Sequence, residues 1–382
     1  MNAKDSPSQP NVEDRLALLE TLLDRVPDFF YVHNAELRFQ YVNRAAAEYF
    51  GHTKNSIVGL RHRDVDENPE QARFYEQTLI PIIERGEPVT TDDLPYKRHD
   101  GSTGLLRAHI VPFDNPKTGE PMMLGISHDV TNDRQIAEER ARRAVYEREL
   151  DIARRVQQSL LPATLPEIEG FRVSARCEPA AFVGGDFYDF IPTNDNRVVA
   201  VLGDVTGHGV GSALIAAVCR SFARVLFAHQ PFGEAIHRLD RMMHADLQVG
   251  SFVTLGAVEI HSEQRSVRFL SAGHGPVIVA RREGSVDTLP THTTPLGLGL
   301  TDTVIEATPI DLSAGDSLLV PSDGLFESRS SDGEQFGVAR LATSAMTGQT
   351  VEASIDACFR DEAQWRMGLP AEDDRTLIVI HA

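Results

Sequence analysis

Gly184-Gly185-Asp186-Phe187-Tyr188-Asp189-Phe190-Ile191 runs into Asn194-Asp195-Asn196 and returns as Val198-Val199-Ala200-Val201-Leu202-Gly203-Asp204. A polar Asn-Asp-Asn triplet between two apolar runs reads as a hairpin turn. With the turn centred on Asp195, Asp186 and Asp204 become cross-strand partners. Like charges directly opposed on a ladder destabilise it, because their Cβ atoms lie only about 5 Å apart. A cation held between them is the expected reason for keeping such a pair. A register slip of one residue would send the two acids to opposite faces.

The rest of the chain bounds what such a site can belong to. A length of 382 residues suggests two or three domains, each with its own core. A formal net charge of -19 argues against a general nucleic-acid binder and for carboxylate-rich surfaces and sites. Cys177, Cys219 and Cys358 are far apart and match no disulfide framework or zinc spacing. Met1 to Pro10 is polar and has no apolar signal core. No stretch approaches the roughly 20 apolar residues of a membrane span. The longest mildly apolar run, Ala213 to Phe227, contains Arg220 and Arg224. The expectation is a cytoplasmic chain with no membrane insertion and no nucleic-acid partner.

Three regions separate by pattern. After a disordered N-terminus over 1–11, residues 12–132 give a helix (Arg15 to Leu23) and a hairpin from Phe29 to Val42. Short helical pieces run to Arg85. Three strands follow at Thr90–Tyr96, Gly104–Phe113 and Pro121–Val130, joined by Asp100-Gly101 and Asn115-Pro116 turns. Residues 133–161 are dense in Arg and Glu without Gly or Pro. Ala141, Val145, Ile152, Val156 and Leu160 form one helical stripe there, which suits a signalling helix paired with its copy or packed on its own domains. Residues 162–382 alternate strand-like runs with long helical patterns at Gly211–Ala228 and Phe232–Leu247 and another at Ala353–Ala363. Hairpins dominate over βα units, so the expected class is α+β with antiparallel sheets.

Two further acids join the first pair. Asp323 follows the apolar strand Ser317-Leu318-Leu319-Val320, and Asp373-Asp374 precede Thr376-Leu377-Ile378-Val379-Ile380. If those strands are antiparallel neighbours, the acids emerge at one sheet edge. Each has an ordinary explanation on its own. Asp-Gly is a common turn pair, Asp204 could cap the helix after Gly209, and Asp373 could be a solvated loop acid. Jointly, every one of them ends an apolar strand. Asp189 and Asp195 lack that context and read as supporting or turn residues. Hard oxygen ligands of this kind suit Mg²⁺ or Mn²⁺ rather than zinc. Two such ions can clamp a phosphoryl group and activate a water, with no protein nucleophile.

Two resemblances sharpen this. Phe29-Phe30-Tyr31-Val32, Tyr41-Val42-Asn43-Arg44-Ala45-Ala46, Phe50-Gly51, Ile57-Val58-Gly59 and the closing Asp129-Val130-Thr131 resemble a PAS sensor domain. Its ligand pocket is unassigned. The region has no cysteine for a flavin adduct, and His62 and His109, the candidate haem ligands, read as structural or surface residues. Further on, Ala153-Arg154-Arg155-Val156-Gln157-Gln158-Ser159-Leu160-Leu161-Pro162 and Gly184-Gly185-Asp186-Phe187-Tyr188-Asp189 come first. Gly203-Asp204-Val205-Thr206-Gly207-His208-Gly209, Ser271-Ala272-Gly273-His274, Pro295-Leu296-Gly297, Ser322-Asp323-Gly324 and Asp373-Asp374-Arg375-Thr376 follow in order.

This set is similar to bacterial SpoIIE/RsbU-type phosphatases of the metal-dependent PPM family. The resemblance implies a PPM-type β-sandwich flanked by helices, two Mn²⁺ or Mg²⁺ ions, and serine/threonine phosphatase activity. The implied substrate is a phosphorylated anti-sigma-factor antagonist of the STAS type, and the implied assembly is a homodimer through the PAS domain and linker helix. Carried over, Asp204 bridges the ions with the Val205 carbonyl beside it, Asp186 serves the second ion, and Asp323 and Asp373 hold the first. Asp374, Gly324 and His208 are possible additional contributors. Gly275 departs from the family's usual proline and Ser322 from its threonine, but no metal acid is lost.

Three other classes compete. A diguanylate cyclase signature needs a second acid where Phe187 stands. A histidine kinase needs a histidine in the linker, which has none. A non-catalytic scaffold on a degenerate phosphatase fold is at odds with a complete acid set.

Overall fold

The computed structural model describes residues 11–65, 69–97, 101–193, 195–248, 250–300 and 303–382. The chain divides into two compact units, Met1–Ala144 and Val145–Ala382. Of the disordered stretch expected over 1–11, residues 1–10 lie outside the described residues. Asn11 caps the first helix, its side chain accepting from the Asp14 N–H.

In the first unit α1 (Val12–Leu23) leads to the hairpin β1 (Phe29–Asn34) and β2 (Phe39–Val42). Helices α2 (Arg44–Tyr49), α3 (Lys54–Ile57), α4 (His62–Val65) and α5 (Pro69–Arg85) follow. Strands β3 (Val89–Thr90), β4 (Leu94–Lys97), β5 (Thr103–Asp114) and β6 (Pro121–Asp129) complete an antiparallel sheet of order β2-β1-β6-β5-β3, with β4 also on β5. The single strand expected over Thr90–Tyr96 is two short ones. Between them the Ala108 N–H of β5 donates to the Thr91 hydroxyl at 3.0 Å rather than to a backbone carbonyl, and Asp93 pairs with Arg107 and Arg134. Asp100 of the following turn lies outside the described residues.

Tyr31, Phe39 and Val42 pack on Ala46, Ala47, Ile57 and Val65 to make the core. His33 and His62 are buried in that core with ring centroids 4.9 Å apart. None of their four ring nitrogens has a hydrogen-bond partner. His109 is elsewhere, exposed on β5 and bonded to the Thr90 hydroxyl at 2.9 Å.

The linker is one helix, α6 (Thr131–Leu160), 30 residues long, with no side chain buried. Its entry is fixed by the Asp129-Val130-Thr131 turn: the Thr131 N–H donates to Asp129 at 3.0 Å and the Leu105 N–H to the Thr131 hydroxyl at 2.8 Å. Val145, Ile152 and Val156 of the apolar stripe are more than half exposed.

The second unit contains β7 (Arg172–Glu178), the hairpin β8 (Phe187–Pro192) and β9 (Arg197–Val205), then α7 (Val210–His229) and α8 (Phe232–Asp246). Next come β10 (Val253–His261), β11 (Ser266–Ala272), β12 (Val277–Ala280), β13 (Val286–Leu289), β14 (Thr308–Ile310) and β15 (Ser317–Pro321). Helices α9 (Asp323–Phe326), α10 (Gly337–Met346) and α11 (Val351–Trp365) precede β16 (Arg375–His381). Two antiparallel sheets result, β14-β11-β10-β9-β8 and β13-β12-β15-β16-β7.

Tyr188, Leu202, Val258, Phe269, Val279, Leu318 and Ile378 fill the space between the sheets. One outer face is covered by α7 and α8, the other by α10 and α11. This is the helix-flanked sandwich expected. Strand β13 is exposed and β14 is three residues with a proline, so neither shows a strand pattern in the sequence.

Helix α7 requires a correction. At 20 residues with a mean hydropathy of 1.6 in its most apolar window, it is long and apolar enough to cross a membrane by length and composition alone. In the fold it buries Ala216, Cys219, Ala223 and Phe227 against the sheet and α8. Its two arginines, Arg220 and Arg224, reach Asp189 of β8 at 2.9 and 3.0 Å.

Candidate active site

The β8–β9 ladder pairs Phe187 with Gly203, Tyr188 with Leu202, and so on to Pro192 with Val198. One step past Phe187 and Gly203 stand Asp186 and Asp204, so a turn centred on Asp195 sets the two acids opposite each other. Asp186 is 2% exposed, and its Oδ2 has no hydrogen-bond partner. Burial, then the Asp204 charge, push its carboxyl well above the usual range, against the pull of the Thr376 and Ser322 hydroxyls. Asp204 is pushed up to about 7, first by burial and then by Asp323, Asp373 and Asp374.

The second sheet delivers the other acids. Strands β15 and β16 are antiparallel neighbours, Pro321 pairing with Leu377. Asp323 begins α9 just beyond β15, and Asp373 lies two residues before β16. Both therefore reach the same end of the sandwich and line one cleft of 320 Å³. Burial, then Asp373 and Glu327, raise the Asp323 carboxyl. The influence of Asp323 and Asp373 on Asp204 joins the acids of the two sheets into one electrostatic cluster.

Adjacent Asp373 and Asp374 do different things. Asp373 is exposed to the cleft. Asp374 is 7% exposed and turned inward: it accepts from the Ala180 N–H at 2.8 Å and the Gly185 N–H at 2.6 Å, with the Asp186 N–H at 3.4 Å. It holds the loop that carries Asp186. Three glycines make this closeness possible. A Cβ on Gly184 would lie 2.1 Å from Asp374 Oδ2, one on Gly185 2.7 Å from the Val205 carbonyl oxygen, and one on Gly324 2.1 Å from the Asp374 carbonyl oxygen. Gly324 thus lets α9 approach the acid loop, and the Val205 carbonyl sits beside Gly185.

Gln157 of α6 clamps the same loop. Its Nε2 donates to the Gly184 carbonyl at 2.7 Å, and its Oε1 accepts from the Gly184 N–H at 3.2 Å. The sequence marks Gln157 and Gly184 only as members of two separate motifs, not as partners. Asp189, read from the sequence as a supporting residue, is fully buried against Arg220 and Arg224. The available signal was the i,i+4 arginine pair inside an apolar helix, which demands a buried acid opposite.

His208 is exposed in the loop after Asp204. The Ala-Gly-His and Pro-Leu-Gly motifs serve packing. His274 is buried, its Nδ1 bonded to the Thr254 hydroxyl at 3.0 Å, and a Cβ on Gly256 would lie 2.8 Å from its ring. The Gly297 N–H donates to buried Asp240 at 2.8 Å.

The donor chemistry suits hard divalent cations. Carboxylates that repel one another, a buried carboxylate oxygen without a partner and a nearby carbonyl are what Mg²⁺ or Mn²⁺ takes as ligands. Among the described residues no three His, Cys, Asp or Glu side chains stand grouped closely enough to hold an ion.

Comparison with known proteins relates both units of the chain to described families. The family description "Stage II sporulation protein E (SpoIIE)" matches residues 194–382, and a PAS fold description matches residues 23–135. Asp186 lies just outside the first match. Protein IcfG of Synechocystis is 26% identical over 264 residues, 61% of this chain and 41% of IcfG. Phosphoserine phosphatase RsbU of Bacillus subtilis is 26% identical over 240 residues, 61% of this chain and 69% of RsbU. The chain therefore spans less than half of one relative and about two thirds of the other. The SiaA-PP2C domain of Pseudomonas aeruginosa shares the fold, with a TM-score of 0.55 at 21% identity, covering 63% of this chain and 98% of that domain. This chain joins a PAS domain to a phosphatase-type domain of the SpoIIE branch of the PPM family.

Proposed function

We propose that the second unit is a metal-dependent phosphatase acting on phosphoserine or phosphothreonine of a partner protein, under control of the PAS domain. The observation that carries this reading is the convergence of Asp186, Asp204, Asp323 and Asp373 from two sheets onto one end of the sandwich. Asp204 with the Val205 carbonyl, Asp186, and Asp323 with Asp373 would be the groups that hold the two cations. When bound, Mn²⁺ or Mg²⁺ supplies Lewis-acid stabilisation of the phosphoryl charge and an activated water.

In the reaction, water oxygen bonds to phosphorus and the bond from phosphorus to the seryl oxygen breaks. The seryl oxygen takes a proton from the water, and inorganic phosphate leaves. The chain's acids are recruited for charge and position, and no side-chain nucleophile is needed. The finer substrate, a phosphorylated STAS-type anti-sigma-factor antagonist in a partner-switching pathway, is supported by the sequence resemblance and by similarity to a protein named phosphoserine phosphatase RsbU. Dimerisation through α6 is supported by its exposed apolar stripe.

The test is hydrolysis of a phosphoserine protein by the purified chain with and without Mn²⁺ or Mg²⁺. Activity should require the ion, and Asp204→Asn should lower kcat by at least about 100-fold, the scale of losing a main electrostatic group. Full metal-dependent activity in that variant would overturn the mechanism. A partner protein bound but left phosphorylated by the wild type would favour the scaffold reading.

A further inference from the structure

We infer that Arg329 and the hairpin bearing it form the subsite that grips the substrate's phosphoryl group beside the acids; this rests on the phosphatase reading above. The 320 Å³ cleft that starts at Asp323 and Asp373 has two walls. One is the hairpin over 328–336. The Phe336 N–H donates to the Ser328 carbonyl at 2.8 Å, the Ser330 N–H to that of Glu334 at 3.0 Å and the Gly333 N–H to that of Ser330 at 2.9 Å. Gly333 has a φ of 79°, which a side chain would strain. The other wall is the turn after α11, over 366–373.

Two guanidinium groups line this cleft, and their commitments differ. Arg366 donates through Nε to Glu362 at 2.5 Å and also reaches the Leu369 carbonyl, so it staples its own wall. Arg329 donates Nη1 to the Gly333 carbonyl at 2.9 Å and, among the described residues, forms no ion pair. Its Nε and Nη2 edge is uncommitted, and that edge is the one that meets two oxygens of a phosphoryl group at once.

The charge balance points the same way. Asp323, Glu327, Glu372 and Asp373 line the cleft and would repel a dianionic phosphate. Cations held by the acids can neutralise that repulsion at the metal side. A positive group is still needed to orient the remaining phosphoryl oxygens, and of the two arginines lining the cleft Arg366 is committed to Glu362. Arg329 supplies that group within the same cleft. A phosphoseryl or phosphothreonyl side chain then lies with phosphorus between the acids and the guanidinium. Its peptide backbone runs over the hairpin.

The experiment uses the full chain with Mn²⁺ and three readouts: KM and kcat on a phosphoserine protein, the inhibition constant of inorganic phosphate, and Tm. Arg329→Ala should weaken inorganic phosphate and raise KM by about tenfold or more, the scale of one charge-assisted bidentate contact. Manganese affinity by calorimetry should stay within about twofold, since no proposed ligand is touched. Arg329→Gln retains a donor for the Gly333 carbonyl without the charge. It should keep the wild-type Tm and still lose phosphate affinity, which separates anion binding from support of the hairpin. Wild-type KM and phosphate inhibition in both variants would overturn the subsite. A wild type with no metal-dependent turnover would instead overturn the phosphatase reading. In that case direct phosphate binding in the presence of Mg²⁺ still decides whether Arg329 grips the anion.

Discussion

Asp373 and Asp374 are neighbours in sequence, yet substituting them should give opposite signatures. Asp373 faces the cleft and repels Asp323, while Asp374 accepts buried backbone N–H groups from Ala180 and Gly185. Asp373→Asn should abolish metal-dependent turnover and leave Tm unchanged or slightly raised without metal, because a repulsion is removed. Asp374→Ala should cost about 3 kcal/mol of stability, the scale of stranding buried donors that had a charged acceptor. Calorimetry and turnover on both variants check this, and a large Tm loss in Asp373→Asn would reverse the assignment. The sequence made the Asp186–Asp204 pairing legible because a ladder has period 2 and one turn centre fixes all its partners. It left Asp373 and Asp374 unresolved because two adjacent acids before a strand differ only in which way each turns. That depends on Gly184 and Gly185, nearly 190 residues away.

At the scale of elements, α6 carries the argument. Its first turn is fixed by Asp129 and Thr131, and near its end Gln157 holds Gly184, two residues from Asp186. A shift of the helix along its axis therefore acts on the loop that presents an acid. Gln157→Ala should raise the Mn²⁺ concentration for half-maximal activity several-fold. It should cost about 1 kcal/mol in stability, since two partly buried hydrogen bonds are lost. Unchanged metal dependence would make the clamp structural only. Val156→Asp addresses the other face. If the exposed stripe pairs with a second copy, light scattering should show the dimer lost; an unchanged mass would rule the stripe out as an interface. The helix, its boundaries and the stripe were readable from composition and period, because nothing but local propensity and charge pattern determines an unburied helix. The break between β3 and β4 was not, because a Thr91 hydroxyl taking the Ala108 N–H of β5 leaves no mark on the apolar pattern.

At the scale of the molecule, the two units carry buried ionisable groups whose effects on stability have opposite signs. In the PAS unit His33 and His62 are buried with unpaired nitrogens, and burial lowers both, His62 to about 4. A folded pKa below the unfolded value of about 6.5 means the unfolded chain binds more protons between the two. Stability is then present above about pH 6.5 and is lost as pH falls toward 4, by up to about 3 kcal/mol for His62. In the phosphatase unit without metal, Asp204 is raised to about 7, so its contribution is present at acid pH and lost as pH rises through 7. His274, lowered to about 4 by burial, opposes this only on the acid side. Divalent cations held by these acids would therefore relieve the same repulsion that protons do. Mn²⁺ should raise the Tm of the phosphatase transition strongly at pH 8 and much less at pH 5, while the PAS transition ignores Mn²⁺ and falls with acid. Replacing both buried imidazoles, His33→Leu with His62→Leu, should flatten the acid-side loss in the PAS transition, because apolar groups of similar size leave no donor stranded. Scanning calorimetry across pH with and without Mn²⁺ measures all of these. A manganese increment that grows on acidification would contradict the clustering of Asp204 with Asp323 and Asp373.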